Sequence, residues 1–286
     1  MQVLEYFPVR IGHAIKNNLN DKEKNMLEEI RIRVGKPIIL KLRNESKILD
    51  YIVKTQDILQ IIEKITENSM YSYQKQICSG YITLRGGHRV GISGNIVMED
   101  DKVININYIY SLNFRIARQI IGVSEKIINQ IMCNNTIYNT LIISPPGAGK
   151  TTLLRDLIRN LSIIKTVGVV DERGEITAMY KNEPQNDMGL KVDILSNVSK
   201  NIGMKMLVRS MAPDIICADE IGTKEDIEAI KYAITSGVKG IFTAHGDSLN
   251  SIKKSPILND LLELNIIEKV LILNKFDRNK IDVKIV

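Results

Sequence analysis

The stretch "ISPPGAGKTTLLRD", Ile143–Asp156, decides how the second half of the chain is read. It comes within one residue of the pattern G-x-x-x-x-G-K-[ST]. Gly149, Lys150 and Thr151 supply its close, and Ser144 stands where its first glycine belongs. A loop of this kind points successive backbone N–H groups at phosphates, with a helix N-terminus behind them. It therefore needs a strand, a tight loop and a helix in that order. "TLIIS" reads as the strand, "PPGAG" as the loop and "KTTLLRDLIRNL" as the helix. Pro146, Gly147, Ala148, Gly149, Lys150, Thr151 and Thr152 are the expected nucleotide-binding set. Lys150 reaches the terminal phosphates, and the Thr151 hydroxyl binds Mg²⁺. Ser144 lies at the strand exit and removes no donor; it is strained only if its φ is positive.

Working outward, three further strand ends carry polar residues. "PDIICADEIG", Pro213–Gly222, is an apolar strand ending in Asp219 and Glu220. Beside a phosphate loop, such an end holds Mg²⁺ through the first acid and orients the attacking water through the second. Asp219 is thus assigned to the metal and Glu220 to the water. "VVDERGEI" ends a strand in Asp171 and Glu172, with Glu175 beyond, and these carboxylates can position water or metal. "GIFTAHG" ends another strand at His245, placed to sense a terminal phosphate. A competing pattern runs through the same region. "DEIG" fits the D-x-x-G of GTPases, and Asn274, Lys275 and Asp277 fit N-K-x-D. The little sequence after Asp277, and the strand-helix material between Thr151 and Asp219, favour an ATPase over that reading.

These motifs sit at the carboxyl ends of the apolar segments "NTLIIS", "TVGVVD", "PDIICAD", "KGIFTA" and "KVLIL", most of them separated by helical stretches. Alternation of that kind implies a mostly parallel sheet covered by helices, with ligands beyond the strand ends. A helix is expected at about 123–133. Residues 1–118 read differently, as an α+β domain, so the expected division is 1–118 and 119–286. "EIRIRVG" and "PIILKL" are short strands, and "TQDILQIIEKITENS" is an amphipathic helix with Thr55 as its cap. "GYITLRGGHRVGISGNIVM" gives strands turned by Gly86-Gly87, and "YSLNFRIAR" gives a connecting strand.

The net charge of +6 permits an acidic partner, but the 39 basic residues are interleaved with 33 acidic ones. Aromatic residues make up 5% and do not cluster with Lys or Arg, so no nucleic acid is expected as a partner. Cys78, Cys133 and Cys217 are far apart, which suggests neither a zinc site nor a disulfide framework and suits a cytoplasmic setting. No secretory signal is evident, and no run approaches the roughly 18 apolar residues of a membrane span, so any membrane role is expected to be peripheral.

With "SPPGAGKTT", "VVDERGEI", "CADEIG" and "GIFTAHG" placed, the chain resembles the secretion-ATPase superfamily, the motors of type II and type IV secretion and of pili. "EIRIRVGKP", "GYITLRGGHRVGISG", "NFRIAR", "PQNDMG" and "LVRSMAPDIICADEIG" are similar, in order, to a stage III sporulation family of endospore-forming bacteria within it. The resemblance implies a RecA-like phosphate-loop core that uses ATP and Mg²⁺, with catalytic roles at Glu220, Lys150, Glu172, His245 and Arg209. It implies a homo-hexamer with nucleotide between subunits, and arginines acting in trans, for which Arg89, Arg115, Arg118 and Arg209 are the candidates. It also implies a mother-cell ATPase, peripheral to the engulfing membrane, whose partners are the membrane proteins of a channel to the forespore.

Overall fold

The structure is a computed structural model that describes residues 1–274 and 281–285. The chain divides into two compact units. The first comprises Met1–Arg118 together with Ala178–Gln185; the second comprises Gln119–Thr177 and Asn186–Val286.

The first unit is built from α1 (Val9–Asn17), α2 (Asp21–Met26), β1 (Leu27–Arg33), β2 (Pro37–Leu42), β3 (Ser46–Ile52), α3 (Thr55–Ile65), α4 (Gln74–Cys78), β4 (Tyr81–Thr83), β5 (Arg89–Glu99) and β6 (Lys102–Arg115). Its sheet runs β3-β2-β1-β6-β5-β4 and is antiparallel throughout. Inward residues alternate along β1, where Ile30 and Ile32 are fully buried, as a sheet with one face on a core requires. Ile58, Ile61 and Ile65 of α3 join the same core, and Phe7 packs on Phe114 with ring centroids 4.5 Å apart. The cap of α3 lies one residue before the expected Thr55. The Lys54 N–H donates to the Asp57 carboxylate at 2.8 Å, and a carboxylate is a stronger acceptor than a threonine hydroxyl. Gly86 and Gly87 make the expected turn between β4 and β5, with φ of 81° and 74°. The return of residues 178–185 to this unit has no counterpart in the sequence reading. Within the unit, Gly86 N donates to Gln185 Oε1 at 2.7 Å, Lys181 pairs with Glu67 at 2.9 Å, and Tyr180 donates to Glu67.

The second unit contains α5 (Ile128–Ile131), β7 (Met132–Cys133), β8 (Thr136–Ile137), β9 (Thr140–Ser144), α6 (Lys150–Leu161), β10 (Val167–Asp171), β11 (Val192–Ser196), α7 (Lys200–Ser210), β12 (Ile215–Ala218), α8 (Lys224–Thr235), β13 (Lys239–His245), α9 (Leu249–Lys253), α10 (Asn259–Glu263), β14 (Lys269–Leu273) and β15 (Ile281–Ile285). The helix expected at 123–133 shrinks to a single turn. Ser124 gives both its N–H and its hydroxyl to Asp156 at 2.8 Å, which fixes a turn, and Met132 already pairs with Ile137 as strand. The main sheet runs β11-β10-β12-β13-β9-β14-β15, parallel except for β15. Its central strands, β9, β10, β12 and β13, are buried on both faces. Leu153, Leu157 and Leu161 of α6 cover one face, and Met204 of α7 with Ile227 and Ile230 of α8 cover the other. One point of topology positions the site. β13 stands between β9 and β12, so its carboxyl end falls between the end of the phosphate-loop strand and the end of the acidic strand. Among the described residues no helix is long and apolar enough to cross a membrane.

Candidate active site

β9 ends at Ser144, which is fully buried, lies in the strand and has no positive φ, so the serine is not strained. Its hydroxyl donates to the Pro145 carbonyl at 2.8 Å, and it pairs in register with His245 of β13. The chain then turns through Gly147 (φ 78°) and Gly149 (φ 101°), left-handed values that favour glycine. A Cβ added at either position would meet no atom within 4 Å, so it is backbone conformation rather than crowding that calls for glycine here. Pro146 and Ala148 complete the turn, with Ala148 N donating to Pro145 O at 3.3 Å. Lys150 is the first residue of α6, with Thr151 and Thr152 behind it, and the unpaired N–H groups of a helix start face any anion held there.

Lys150 is only 6% exposed, and its Nζ lies 3.2 Å from His245 Nδ1. An ammonium has no lone pair, so Nδ1 must accept and the imidazole proton belongs on Nε2. That nitrogen lies 3.2 Å from Glu220 Oε1. The other oxygen of Glu220 accepts from Arg173 Nη1 at 2.6 Å. The site thus contains one line of contacts, Lys150–His245–Glu220–Arg173.

A second line passes through Asp219. Its Oδ2 accepts from the Thr151 hydroxyl at 2.6 Å, and its Oδ1 accepts from the Thr243 hydroxyl. Thr243 Oγ1 in turn accepts the Glu220 N–H at 2.8 Å. Glu220 adopts a left-handed φ of 54°, a sparsely populated conformation of the kind that clusters at functional sites. Burial pushes the Asp219 carboxyl above the usual range; the threonine hydroxyls oppose this, and Glu220 and Glu175 add to it. A buried carboxylate held that way gains from a cation.

These residues fit a nucleotide with Mg²⁺. The glycine-containing loop and the buried lysine suit phosphates, and the Thr151–Asp219 pair supplies oxygen ligands. Among the described residues, no three His, Cys, Asp or Glu side chains converge as a protein-only metal site. Mg²⁺ held with phosphates takes only one or two carboxylates from the protein, so this is the arrangement expected.

The other sequence candidates are placed differently. Asp171 faces its own turn, accepting from Glu175 N at 2.8 Å, Ile176 N at 3.2 Å, and Thr177 N and Oγ1 at 2.8 and 2.6 Å. Glu172 pairs with Lys200 at the start of α7, in a cleft that Glu175, Asp219 and Glu220 also line. Arg209 is not brought to the loop. It sits on the last turn of α7 and stacks over Tyr232, 5.7 Å from the ring centroid. Because α7 leads back to the start of β12, it carries Arg209 to the amino edge of the parallel strands, opposite the loop. Arg89, Arg115 and Arg118 belong to the first unit. Arg89 and Arg115 are register partners across β5 and β6, and Arg118 donates to the Lys24 carbonyl at 3.0 Å. The Gly222 N–H of the D-x-x-G pattern donates to Asp226 Oδ2 at 3.1 Å, inside the cap of α8. Lys275 and Asp277 of N-K-x-D lie outside the described residues, beyond Asn274.

Sequence reasoning missed Thr243, Arg173 and Lys200. Thr243 carried a signal, since a threonine within the apolar run of a buried strand needs a partner for its hydroxyl. Arg173 and Lys200 carried none, because exposed and flanking cations are common in any loop.

Comparison with known proteins agrees with this geometry. The family model described as "Sporulation stage III, protein AA" matches residues 1–283. Stage III sporulation protein AA of Bacillus subtilis is 37% identical over 281 residues, covering 96% of this chain and 91% of that protein. Among solved structures, the ATPase DotB of Legionella pneumophila superposes with a TM-score of 0.61 at 17% identity, over 93% of this chain and 76% of that one. The pilus retraction motor PilT with bound ADP gives 0.60 at 13% identity, over 92% and 76%. The two structural matches establish the fold, a RecA-like parallel-sheet core together with an α+β unit. The sequence matches run through both units rather than stopping at the phosphate loop, and on their strength the chain belongs to the stage III sporulation protein AA family.

Proposed function

We propose that this chain is a Mg²⁺-dependent ATPase of the secretion-ATPase type, working during endospore formation to energise or assemble the channel between mother cell and forespore. The observation that carries the reading is the convergence of two lines of contact on one loop. The Thr151–Asp219 pair stands ready for Mg²⁺, and the Lys150–His245–Glu220 line joins the phosphate-binding lysine to a carboxylate that can take a proton from water. The loop N–H groups and Lys150 bind and orient the phosphates, and Mg²⁺ supplies charge neutralisation between them. Thr243 holds the Glu220 backbone, and Glu220 accepts the proton. PilT, which shares the fold, is a motor with bound ADP, which supports a nucleotide here. On the same reading the protein acts as a homo-hexamer in the mother cell, docked peripherally on membrane proteins of the channel. Arg89, Arg115 and Arg118 are its candidates for completing a neighbour's site.

A nucleotide-gated scaffold with little turnover is the second reading, and one observation favours it. Both oxygens of Glu220 already carry donors, His245 and Arg173. One experiment separates the two: hydrolysis of ATP and GTP with Mg²⁺ by the full chain and by Glu220→Gln, with mass measured by light scattering in the same samples. Turnover of ATP that rises with assembly and vanishes in the variant supports the motor. Binding without turnover in any assembled state supports the scaffold, and a preference for GTP overturns the nucleotide assignment.

A further inference from the structure

We propose that Arg173 is the terminal-phosphate sensor of this site: it restrains Glu220 while no nucleotide is bound, and exchanges that carboxylate for the γ-phosphate of ATP. This rests on the ATPase reading and deepens it.

The pair itself is the first argument. Arg173 Nη1 approaches Glu220 Oε2 to 2.6 Å, a charge-assisted hydrogen bond. The contact occupies one oxygen of the carboxylate that addresses the attacking water and fixes its direction, so it holds that group away from the water until Arg173 lets go. The Arg173 side chain is 65% exposed, and an ion pair that open to solvent is weak and readily exchanged for a more highly charged partner.

Placement is the second. Arg173 and Lys150 stand at opposite ends of one line, with His245 and Glu220 between them. Both ends are cations, and both middle members are held by them. A bound triphosphate draws on both ends, Lys150 through the loop it belongs to and Arg173 beside the residue that addresses the attacking water. A diphosphate engages the loop end alone. The arrangement therefore distinguishes ATP from ADP within one chain.

Third, the hold on the neighbouring turn lies with another side chain. The turn that follows it is already fixed by Asp171, which accepts from three backbone N–H groups and one hydroxyl. None of those four contacts uses the guanidinium. Gly174, with a φ of 64°, follows Arg173 directly and lets the chain turn there at a left-handed value that favours glycine.

The test is calorimetric binding of ADP and of adenylyl imidodiphosphate, each with Mg²⁺, to the full chain and to Arg173→Ala, Arg173→Gln and Arg173→Lys. The expected result is ADP affinity within about 2-fold of the parent in all three, and imidodiphosphate affinity about 10-fold weaker in Arg173→Ala and Arg173→Gln, with part recovered in Arg173→Lys. Retained ADP binding also reports that each variant is folded. An unchanged ratio of the two affinities in Arg173→Ala and Arg173→Gln overturns the proposal, as does equal weakening of both ligands. If the parent binds neither nucleotide, or Lys150→Ala binds both as the parent does, it is the ATPase reading that falls.

Discussion

Two neighbouring strands of the same parallel sheet end alike and do different things. β10 ends in Asp171 and Glu172, and β12 leads into Asp219 and Glu220; the strands are hydrogen-bonded to each other in register. Asp171 is surrounded by donors from its own chain, three N–H groups and the Thr177 hydroxyl, all within six residues. Asp219 has two hydroxyl partners from two other elements, Thr151 of α6 and Thr243 of β13. Backbone donors cannot turn away, so Asp171 is a fixed staple of a loop. Hydroxyls rotate, so Asp219 can exchange their protons for a cation while keeping its place. On the proposed function, the same dipeptide serves structure at one strand end and chemistry at the other, according to who supplies the donors.

The comparison is sharpened most by exchanging the second acid of each pair. Glu220→Gln should lower ATP turnover by about 10²–10⁴-fold while nucleotide binding persists, because the amide keeps the shape and loses the basic oxygen. Glu172→Gln should change turnover by less than about 3-fold, because its partner is the Lys200 ammonium at the start of α7 rather than a residue of the phosphate loop. Parallel steady-state assays and binding titrations read both. Equal losses in the two variants would erase the distinction drawn here.

The first acids should differ in the opposite currency, stability. Asp171→Ala leaves three backbone N–H groups of a half-buried turn without their acceptor, and should lower unfolding stability by about 3 kcal/mol in denaturant melts. Asp219→Asn should raise the melting temperature of the nucleotide-free protein, by roughly 2 °C at pH 7. The sign follows from its raised pKa. The folded state holds the Asp219 proton more tightly than the unfolded state does. Stability is therefore lost as pH rises from the unfolded value through the raised folded one, and the full penalty is in force at neutral pH. The asparagine carries no charge to bury, and should at the same time abolish Mg²⁺-dependent turnover. A lower melting temperature would mean that the hydrogen bonds from Thr151 and Thr243 outweigh the burial of the charge.

Much of this site was legible before the fold was known, and the limits have a physical origin. The phosphate loop, the acid pair of β12 and His245 were readable because each is a local pattern: apolar strand, abrupt polar end, glycine or helix after it. What binds them together is the position of β13 between β9 and β12, and strand order is a tertiary fact that no local pattern states. The donors around Asp171 were hidden for a related reason. Three of the four are backbone N–H groups, which every residue but proline carries, so nothing in the letters marks them. The excursion of residues 178–185 into the first unit is likewise a matter of contacts far apart in sequence, such as Gly86 with Gln185. Arg209 was assigned by its place in a motif of the resemblance, and motif position does not say which edge of the sheet a residue occupies; the fold puts it on the last turn of α7, stacked over Tyr232. A helix that feeds a parallel strand delivers its last turn to the amino edge of the sheet, opposite the loop of the same chain.

Ser144 is where sequence and structure meet most closely, and it yields the smallest expected effect. The pattern asks for glycine there, and a glycine would be worth having only if the backbone needed a left-handed φ or if a side chain blocked the phosphates. Neither condition holds. Ser144 is strand, its φ is not positive, and its hydroxyl is turned to the Pro145 carbonyl. Its register partner is His245, so this position also steadies the residue next to Lys150. Ser144→Gly should therefore leave ATP affinity within about 2-fold and lower stability by about 0.5–1 kcal/mol, the conformational freedom of a glycine in a strand. Thermal melts and nucleotide titrations on the same preparation test both halves. A gain in affinity of 10-fold or more would show that the hydroxyl obstructs the loop, and would make the serine a brake on nucleotide binding rather than a tolerated neighbour of it.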